Sequence, residues 1–320
     1  HTENFWEFNF GQHPFAYSFG EDYKCICTAN TTSTIQARSD RDFSVTLYNG
    51  SSATTFRDLG LQPDLVWIKS YHDNTGNWNC LDTVRGASNT VPLNDQAAES
   101  NETSNFVSFD KEGVTVTGSA NGWNGLGDKY AYYAWTAGGS NGTFNIDGNA
   151  YSTAATAGLD GGTIDPIGAS VGTRSGLSIL KYTGTGSVGT IAHGLGRKPA
   201  FIIARNLPNT AGSLDCPVYH EYKGATGYIR LNTYGQWGTK SSLYNDTEPT
   251  TSLITIGTDS DINISGENYI MYAWANVPGM VKMGGYKGNS DVDGPYVDLG
   301  FRPAAVIIKR TDGNANWYMI

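Results

Sequence analysis

Residues 58–69, DLGLQPDLVWIK, recur almost unchanged as DLGFRPAAVIIK at residues 298–309, and a looser copy, HGLGRKPAFIIAR, occupies residues 193–205. In each copy a proline follows a glycine by three residues and precedes an apolar run. Self-similarity of this kind is typical of architectures in which one supersecondary unit is repeated along the chain. The sequence therefore predicts that the same module is present more than once.

Two further repeated motifs mark the limits of the module. A Tyr-x-Gly triplet precedes each copy, and YYAWTAGG at residues 132–139 is similar to MYAWANVPG at residues 271–279. The Gly-, Ser-, Thr- and Ala-rich stretch between the modules is predicted to be a connector that lies across a module face or a neighbouring subunit. The expected parts are a first module at 43–139, a connector at 140–176, a second module at 177–279 and the start of a truncated third module at 280–320.

The composition favours strands and tight turns over helices. Glycine supplies 40 residues, and short runs rich in Val, Ile and aromatic residues are bounded by Asn-Gly or Asp-Gly pairs. GVTVTG at residues 113–118 and TSLITIG at residues 251–257 alternate polar and apolar residues, as half-buried strands do. We predict an all-β fold of tandem antiparallel β-sandwich modules of roughly 100 residues each, with little or no helix.

Charge and hydropathy exclude some partners. The formal net charge is −9, whereas a nucleic-acid surface needs clustered Lys and Arg. No apolar run approaches the ~18 residues that a membrane helix requires. We therefore expect neither nucleic-acid binding nor membrane insertion.

The four cysteines are too few for a disulfide scaffold in a chain of 320 residues. Cys25 and Cys27 are two residues apart, which in a strand places both on one face in a geometry that does not favour a bond between them. Cys80 and Cys216 stand alone in the sequence. Packed free thiols are the expected state.

The search for catalytic and metal-binding motifs gives no candidate. The five histidines are scattered, and neither a Gly-x-Ser-x-Gly elbow nor a phosphate loop is present. DSDIN at residues 259–263 begins like a calcium loop but has Ile264 where that loop needs glycine. We expect no enzymatic activity, no catalytic residues, no cofactor and no metal site.

Aromatic residues in polar, Gly-rich segments are the remaining candidates for binding. Trp123 lies in NGWNG, and Tyr234 and Trp237 lie in TYGQWG. Exposed rings of this kind can stack on the apolar face of a sugar, so these three residues are the candidate glycan-binding residues. The alternative is that they cap the sandwich ends or fill subunit contacts. The recurring pairs, Trp135 with Trp274 and Trp78 with Trp317, are predicted to be packing residues.

Several long stretches resemble a known family. GLSILKYTGTGSVGTIAHGLGRKPAFIIARN at residues 176–206 and DGPYVDLGFRPAAVIIKRTDGNANW at residues 293–317 closely resemble an uncharacterised β-rich domain. That domain occurs in predicted structural proteins of marine, cyanophage-like tailed phages. FWEFNFGQHPFAY at residues 5–17 resembles the closing strands of a SPRY or lectin-like sandwich. Residues 1–42 are therefore expected to be the remnant of such a domain.

The resemblance implies a phage virion structural protein, a tail fibre or other surface-fibre component that adheres to the host surface. The partners it implies are further copies of the chain in a homo-oligomer, for which a trimer is usual in fibres, other virion proteins and a host-surface glycan. Its expected location is the virion surface, after assembly in the host cytoplasm. Two alternatives remain: a secreted carbohydrate-binding module or glycan-cleaving enzyme, and a ligand-free shell or sheath subunit.

Overall fold

A computed structural model describes residues 39–72, 76–120, 122–212 and 214–320. The predicted SPRY or lectin-like remnant at residues 1–42 lies, apart from its last four residues, outside this part of the chain, as do Cys25 and Cys27. The described residues form 22 strands, and none of the three helices among them is longer than four residues. The predicted all-β fold is confirmed.

The first module begins with a short helix and continues with nine strands. They are α1 (Ser39–Asp42), β1 (Phe43–Asn49), β2 (Thr55–Asp58), β3 (Leu65–Ser70), β4 (Asn79–Asp82), β5 (Asn89–Pro92), β6 (Ser100–Asn101), β7 (Phe106–Asp110), β8 (Gly113–Val116) and β9 (Lys129–Trp135). The segment that follows contains β10 (Phe144–Ile146), β11 (Asn149–Tyr151) and β12 (Gly168–Gly172).

The second module repeats the pattern, and one hairpin follows it. The elements of the second module are β13 (Leu177–Thr183), β14 (Gly189–Ala192), β15 (Pro199–Asn206), β16 (Pro217–His220), β17 (Gly227–Arg230), β18 (Gly238–Thr239), α2 (Ser241–Tyr244), β19 (Leu253–Ile256), α3 (Ser260–Asn263) and β20 (Asn268–Ala275). The hairpin consists of β21 (Ile307–Lys309) and β22 (Trp317–Met319). It lies in the stretch predicted to begin the third module.

Each module has one large sheet, here called its inner sheet, with the same strand order. The first inner sheet runs β1-β9-β3-β4-β5-β6, and β13-β20-β15-β16-β17-β18 is the matching part of the second. The register also matches, since Leu65 pairs with Trp135 in the first module and Phe201 pairs with Trp274 in the second. The repetition seen in the sequence is therefore a repetition of topology.

The Tyr-x-Gly triplet has the same structural task in both modules. Tyr48 stacks on Tyr130 with ring centroids 5.0 Å apart, and Tyr182 stacks on Tyr269 at 5.3 Å. A Cβ atom at Gly50 would lie 1.8 Å from the carbonyl oxygen of Gly125. Glycine is required there because two backbone segments meet without room for a side chain.

The repeated DLG motif forms a turn in front of each apolar run. The carboxylate of Asp58 accepts a hydrogen bond from the amide of Gly60 at 2.9 Å, and Asp298 does the same for Gly300 at 2.9 Å. This is an Asx-type turn, in which a side chain closes the loop two residues on. The glycine of each motif has a positive φ: 71° at Gly60, 67° at Gly196 and 75° at Gly300.

A smaller outer sheet covers one face of each inner sheet. Strands β2-β8-β7 cover the first and β14-β19 cover the second. Val66 and Ile68 of β3 pack with Val114 and Val116 of β8 in the core of the first module. Each module is therefore a small sandwich with its own core, which its own strands enclose.

The other faces of the two inner sheets pack against each other. One cluster of buried residues contains Leu65, Trp67 and Trp135 from the first module and Ile203 and Trp274 from the second. Because each inner sheet is covered on both faces, its central strands are apolar along their length instead of alternating. This explains the runs LVWI and FIIA, which begin two residues after the proline in the first and second modules.

The predicted connector takes part in the second module. Strands β10, β11 and β12 extend the second inner sheet beyond β13, in the order β11-β10-β12-β13. The pairing of β10 with β12 is parallel, whereas the other strand pairs of the described residues are antiparallel. Phe144, Ile164 and Val171 belong to the core of the second module, so this segment buries more than its composition indicates.

Candidate functional site

A groove of about 450 Å³ lies where the first module, the second module and hairpin β21–β22 meet. This volume falls in the range of small-ligand sites. Aromatic rings and amide groups are its main features. Its lining residues are Trp67, Lys69, Gly76, Trp78, Leu93, Asn94, Phe201, Leu231, Asn232, Thr233, Tyr234, Ile307, Asn316, Trp317, Tyr318 and Met319.

Two hairpins with equivalent sequences form opposite walls of the groove. Lys69 of hairpin β3–β4 donates a hydrogen bond from Nζ to the carbonyl oxygen of Gly76 at 2.8 Å. Lys309 of hairpin β21–β22 makes the same contact with Ala315. In both cases a lysine at the end of one strand closes the loop that leads into the next strand.

In each hairpin, a tryptophan follows the residue that accepts the hydrogen bond from the lysine. Trp78 stands two residues after Gly76 and is held by its amide, which donates to Oδ1 of Asn94 at 2.7 Å. Trp317 stands two residues after Ala315, and its indole nitrogen donates to the carbonyl oxygen of Arg230 at 2.8 Å. Both rings are half-buried, so each one combines a packing contact with a surface that faces the groove.

The floor of the groove is the shared core of the modules. Trp67 and Phe201 are 4% and 6% exposed. The indole nitrogen of Trp67 is buried and has no hydrogen-bond partner among the described residues. An unpaired buried N–H group costs free energy, on the order of 1–3 kcal/mol.

Three of the side chains that line the groove are amides, Asn94, Asn232 and Asn316. Asn94 and Asn232 occupy equivalent positions, since each accepts a hydrogen bond from the residue that precedes strand β4 or β16. Asn316 is exposed. Rings and amides together can grip a neutral, hydroxyl-rich ligand or a polar peptide segment by stacking and hydrogen bonding.

The three predicted binding residues do not share a surface. Tyr234 lines the groove and is 65% exposed. Trp237 is half-buried and packs against the shared core, with Nζ of Lys223 5.5 Å from its ring centroid. Of the three residues, Tyr234 alone lines the groove, and its binding role stays a prediction.

The prediction that Trp123 presents its ring on a loop is corrected by the structure. Trp123 is 5% exposed and belongs to the core of the first module, with its ring centroid 6.5 Å from that of Phe106. Its carbonyl oxygen accepts a hydrogen bond from the Tyr48 hydroxyl at 2.6 Å. This anchor holds Trp123 against the inner sheet, so its ring is buried although its neighbours in the sequence are polar.

The prediction about the recurring tryptophans holds fully for one pair. Trp135 and Trp274 are 9% and 4% exposed, and their ring centroids are 6.1 Å apart across the module boundary. Trp78 and Trp317 pack against the same core but also line the groove, which the sequence analysis missed. The signal that could have found the groove is the dipeptide Leu-Asn, which both modules place after the fifth strand of the inner sheet.

A buried ionic cluster joins the two modules. Arg85 donates from Nε to Asp82 at 2.5 Å, and the Tyr272 hydroxyl donates to the same carboxylate at 2.7 Å. Burial would lower the pKa of Arg85, but the attraction of Asp82 outweighs it, so the pKa is raised well above its usual value. Burial raises the pKa of Tyr272 well above 10. Arg85 therefore stays charged and the Tyr272 hydroxyl stays neutral, and their bonds with Asp82 hold the two modules together.

Three further observations concern the described part of the chain. Cys80 and Cys216 are free and buried, as predicted, and burial raises the pKa of the Cys216 thiol to about 11. In residues 39–72, 76–120, 122–212 and 214–320, no three His, Cys, Asp or Glu side chains are grouped so that they could hold a metal ion. In the same part of the chain, no helix is long and apolar enough to cross a membrane.

The fold and the groove define the class: an all-β protein of repeated sandwich modules that share one core. Residues 38–320 match the family described as Domain of unknown function (DUF7483), and the chain belongs to this family. Comparisons with curated proteins and with solved structures gave no match.

Proposed function

We propose that the chain is a structural component of a phage virion, a tail fibre or other surface fibre built from repeated β modules. The observation that carries the proposal is the direct contact between successive modules. The amide of Glu99 in the first module donates to the carbonyl oxygen of Leu207 in the second at 2.8 Å. The equivalent amide of Trp237 in the second module donates to Thr311 in the third at 3.1 Å.

A contact that recurs from module to module supports a structural role. In repeat proteins, stability is approximately a sum of module terms and nearest-neighbour interface terms, so identical interfaces allow a rigid array. The shared aromatic core and the buried Arg85 cluster make the interface here both apolar and ionic. The sequence resemblance to marine phage structural proteins supports the virion as the place where this array is used.

The experiment that tests the proposal is cryo-electron microscopy of purified phage particles, combined with mass spectrometry of their proteins. We expect the chain among the particle proteins and its modules in an appendage or on the particle surface. If the chain is absent from particles and is found as a free, secreted protein, the proposal is wrong.

Glycan binding at the groove is a second candidate function, and the aromatic lining favours it. Trp78, Tyr234 and Trp317 supply ring faces, and Asn94 and Asn232 supply amides. If the groove binds host-surface glycans, Trp78→Ala and Tyr234→Ala should each weaken binding on a glycan array by about tenfold or more, ~1.4 kcal/mol. Tyr296→Ala is the matched control, because Tyr296 is 91% exposed and does not line the groove.

A negative glycan result would favour the remaining alternative, a shell or sheath subunit without a ligand. A hydrolysed glycan in the same assay would instead favour the enzyme alternative, and carboxylate variants would then be needed. Neither result would affect the test on purified particles.

A further inference from the structure

Where the first and second modules meet, one segment of the first module lies on one hairpin of the second. Residues 95–99, which follow β5, lie against hairpin β15–β16. Gln96 donates from Nε2 to Asp215 at 2.8 Å, and the carbonyl oxygen of Ala97 accepts from Arg205 at 2.5 Å. Together with the contact from Glu99 to Leu207, these bonds cover the tip of the hairpin.

The contact between the second and third modules repeats this arrangement. Residues 233–237, which follow β17, lie against hairpin β21–β22. The amide of Ala315 donates to the carbonyl oxygen of Tyr234 at 2.9 Å, and the amide of Gln236 donates to Asn314 at 3.2 Å. In both interfaces, the segment after the fifth inner strand of one module covers the same hairpin of the next. The interface is therefore heterologous, or head to tail.

The modules also use the same face. The shared core contains Leu65 of the first module, Phe201 of the second and Ala305 of the third, and these residues are equivalent by their distance from Pro63, Pro199 and Pro303. Three equivalent faces therefore meet in one core. Heterologous contacts around an axis close into a ring when the rotation allows it.

The corresponding hairpin of the first module has no such cover among the described residues. Leu207 is 3% exposed, whereas its equivalent Tyr71 is 47% exposed. Their equivalence is shown by their backbones, since the amide of Leu207 donates to Asn268 and that of Tyr71 donates to Lys129, both at 2.9 Å. The groove lies beside this hairpin, between the first and third modules.

We propose that this family assembles modules in rings of three, and that the groove is the third docking site. A third module with the fold of the first two places its own segment, the equivalent of residues 95–99 and 233–237, on hairpin β3–β4. It would bond with the carbonyl oxygen of Tyr71, as the amide of Glu99 bonds with Leu207 and the amide of Trp237 bonds with Thr311. This proposal deepens the structural function proposed above, because the threefold arrangement usual in fibres is then made within one chain.

The geometry favours this occupant over a second copy or a glycan. A second copy has no free segment to offer, because residues 95–99 and 233–237 are both engaged within the chain. The groove is also lined by the aliphatic side chains of Leu93, Ile307 and Met319, which fit a packed polypeptide better than a sugar.

The test compares the chain with a version extended after Ile320 by residues 82–139 of the first module. Ile320 is equivalent to Leu81, so this extension continues the third module in register. Hydrogen–deuterium exchange is measured at hairpins β3–β4 and β15–β16. In residues 1–320 alone we expect the amide of Tyr71 to exchange on the order of 100-fold faster than the amide of Leu207. In the extended chain the amide of Tyr71 should slow to the rate of Leu207, which serves as the unchanged control.

Two results would overturn the proposal. One is an extension that gains strand content by circular dichroism but leaves β3–β4 exchanging as fast as before. The other is a glycan that binds the extended chain through Trp78. If the extension does not fold, a peptide of residues 93–101 is added to the chain at millimolar concentration. It should protect β3–β4, while a scrambled peptide should not, and a lack of protection counts against the proposal. These experiments use purified protein, so they do not depend on whether the chain is found in virions.

Discussion

Hairpins β3–β4 and β15–β16 have the same strand pairing but opposite surroundings. In the second module the position of Cys216 is fully buried, whereas its equivalent in the first module, Trp78, is half-exposed. Each residue's amide donates to an asparagine, Asn232 or Asn94, so the local backbone is the same. The hairpins differ in what lies against them. A segment of the first module covers β15–β16, whereas the groove lies beside β3–β4.

This difference shows how a repeated fold can carry different residues at equivalent places. The covered hairpin has small or aliphatic residues, Leu207 and Cys216, where the uncovered one has Tyr71 and Trp78. Tyrosine and tryptophan tolerate partial exposure because each combines an apolar ring with a polar group. The side chain at each position therefore reflects the neighbouring module, while the backbone reflects the fold.

The largest expected effect comes from breaking the buried ionic cluster that joins the two modules. Arg85→Met leaves the carboxylate of Asp82 buried without its cation, which should lower the free energy of unfolding by about 3–5 kcal/mol. Urea denaturation measures the change. Arg310→Met is the control, since Arg310 and its partner Asp312 are both exposed, and it should change stability by less than about 0.5 kcal/mol. Equal effects of the two substitutions would contradict the role of the cluster.

The next effect compares the two hairpins directly. Leu207→Ala removes a fully packed side chain from the covered hairpin and should cost about 2–5 kcal/mol. Tyr71→Ala changes the equivalent, half-exposed position and should cost less than about 1 kcal/mol. Both are measured by the same denaturation experiment. If Tyr71→Ala lowered the free energy of unfolding as much as Leu207→Ala, the hairpin of the first module would be covered in solution and the two hairpins would not differ.

The repeats, the all-β class and the packing of Trp135 and Trp274 could be predicted because each leaves a local or periodic trace in the sequence. The back-to-back packing of the inner sheets could not, since an apolar strand does not reveal what covers its second face. For the same reason the predicted exposure of Trp123 was wrong. Its neighbours in the sequence are polar, but a hydrogen bond from Tyr48, 75 residues away, holds Trp123 on the core. The groove could not be predicted either, since its lining residues come from three modules, and of the predicted binding residues only Tyr234 lies in it.

A pH-dependent effect distinguishes the second module from the first. His193 is buried, which lowers its pKa to about 4. Between pH 6.5 and 4 the unfolded chain therefore binds a proton that the folded chain does not, and the stability falls as the pH is lowered, by up to about 3 kcal/mol. His193→Asn keeps an acceptor for the amide of Leu195 and should reduce this loss. Denaturation at pH 7 and pH 4.5 measures the difference.

The control for this prediction is Ser178→Ala, because Ser178 donates a hydrogen bond from its hydroxyl to the carbonyl oxygen of His193 at 2.8 Å and has no titratable side chain. That variant should keep the pH dependence of the parent chain. If His193→Asn and Ser178→Ala show the same loss of stability on acidification, another group causes the acid sensitivity.

The smallest expected effect concerns a feature that both modules share, the turn before the apolar run. Gly60 and Gly196 have φ values of 71° and 67°, and a Cβ atom at either would have no neighbour within 4 Å. Alanine therefore costs only the backbone strain of the left-handed region, about 1 kcal/mol at each site. We expect Gly60→Ala and Gly196→Ala to lower the free energy of unfolding equally, in contrast to the unequal pair at Leu207 and Tyr71. A much larger loss at Gly196 would mean that the shared core makes even the local turns of the two modules different.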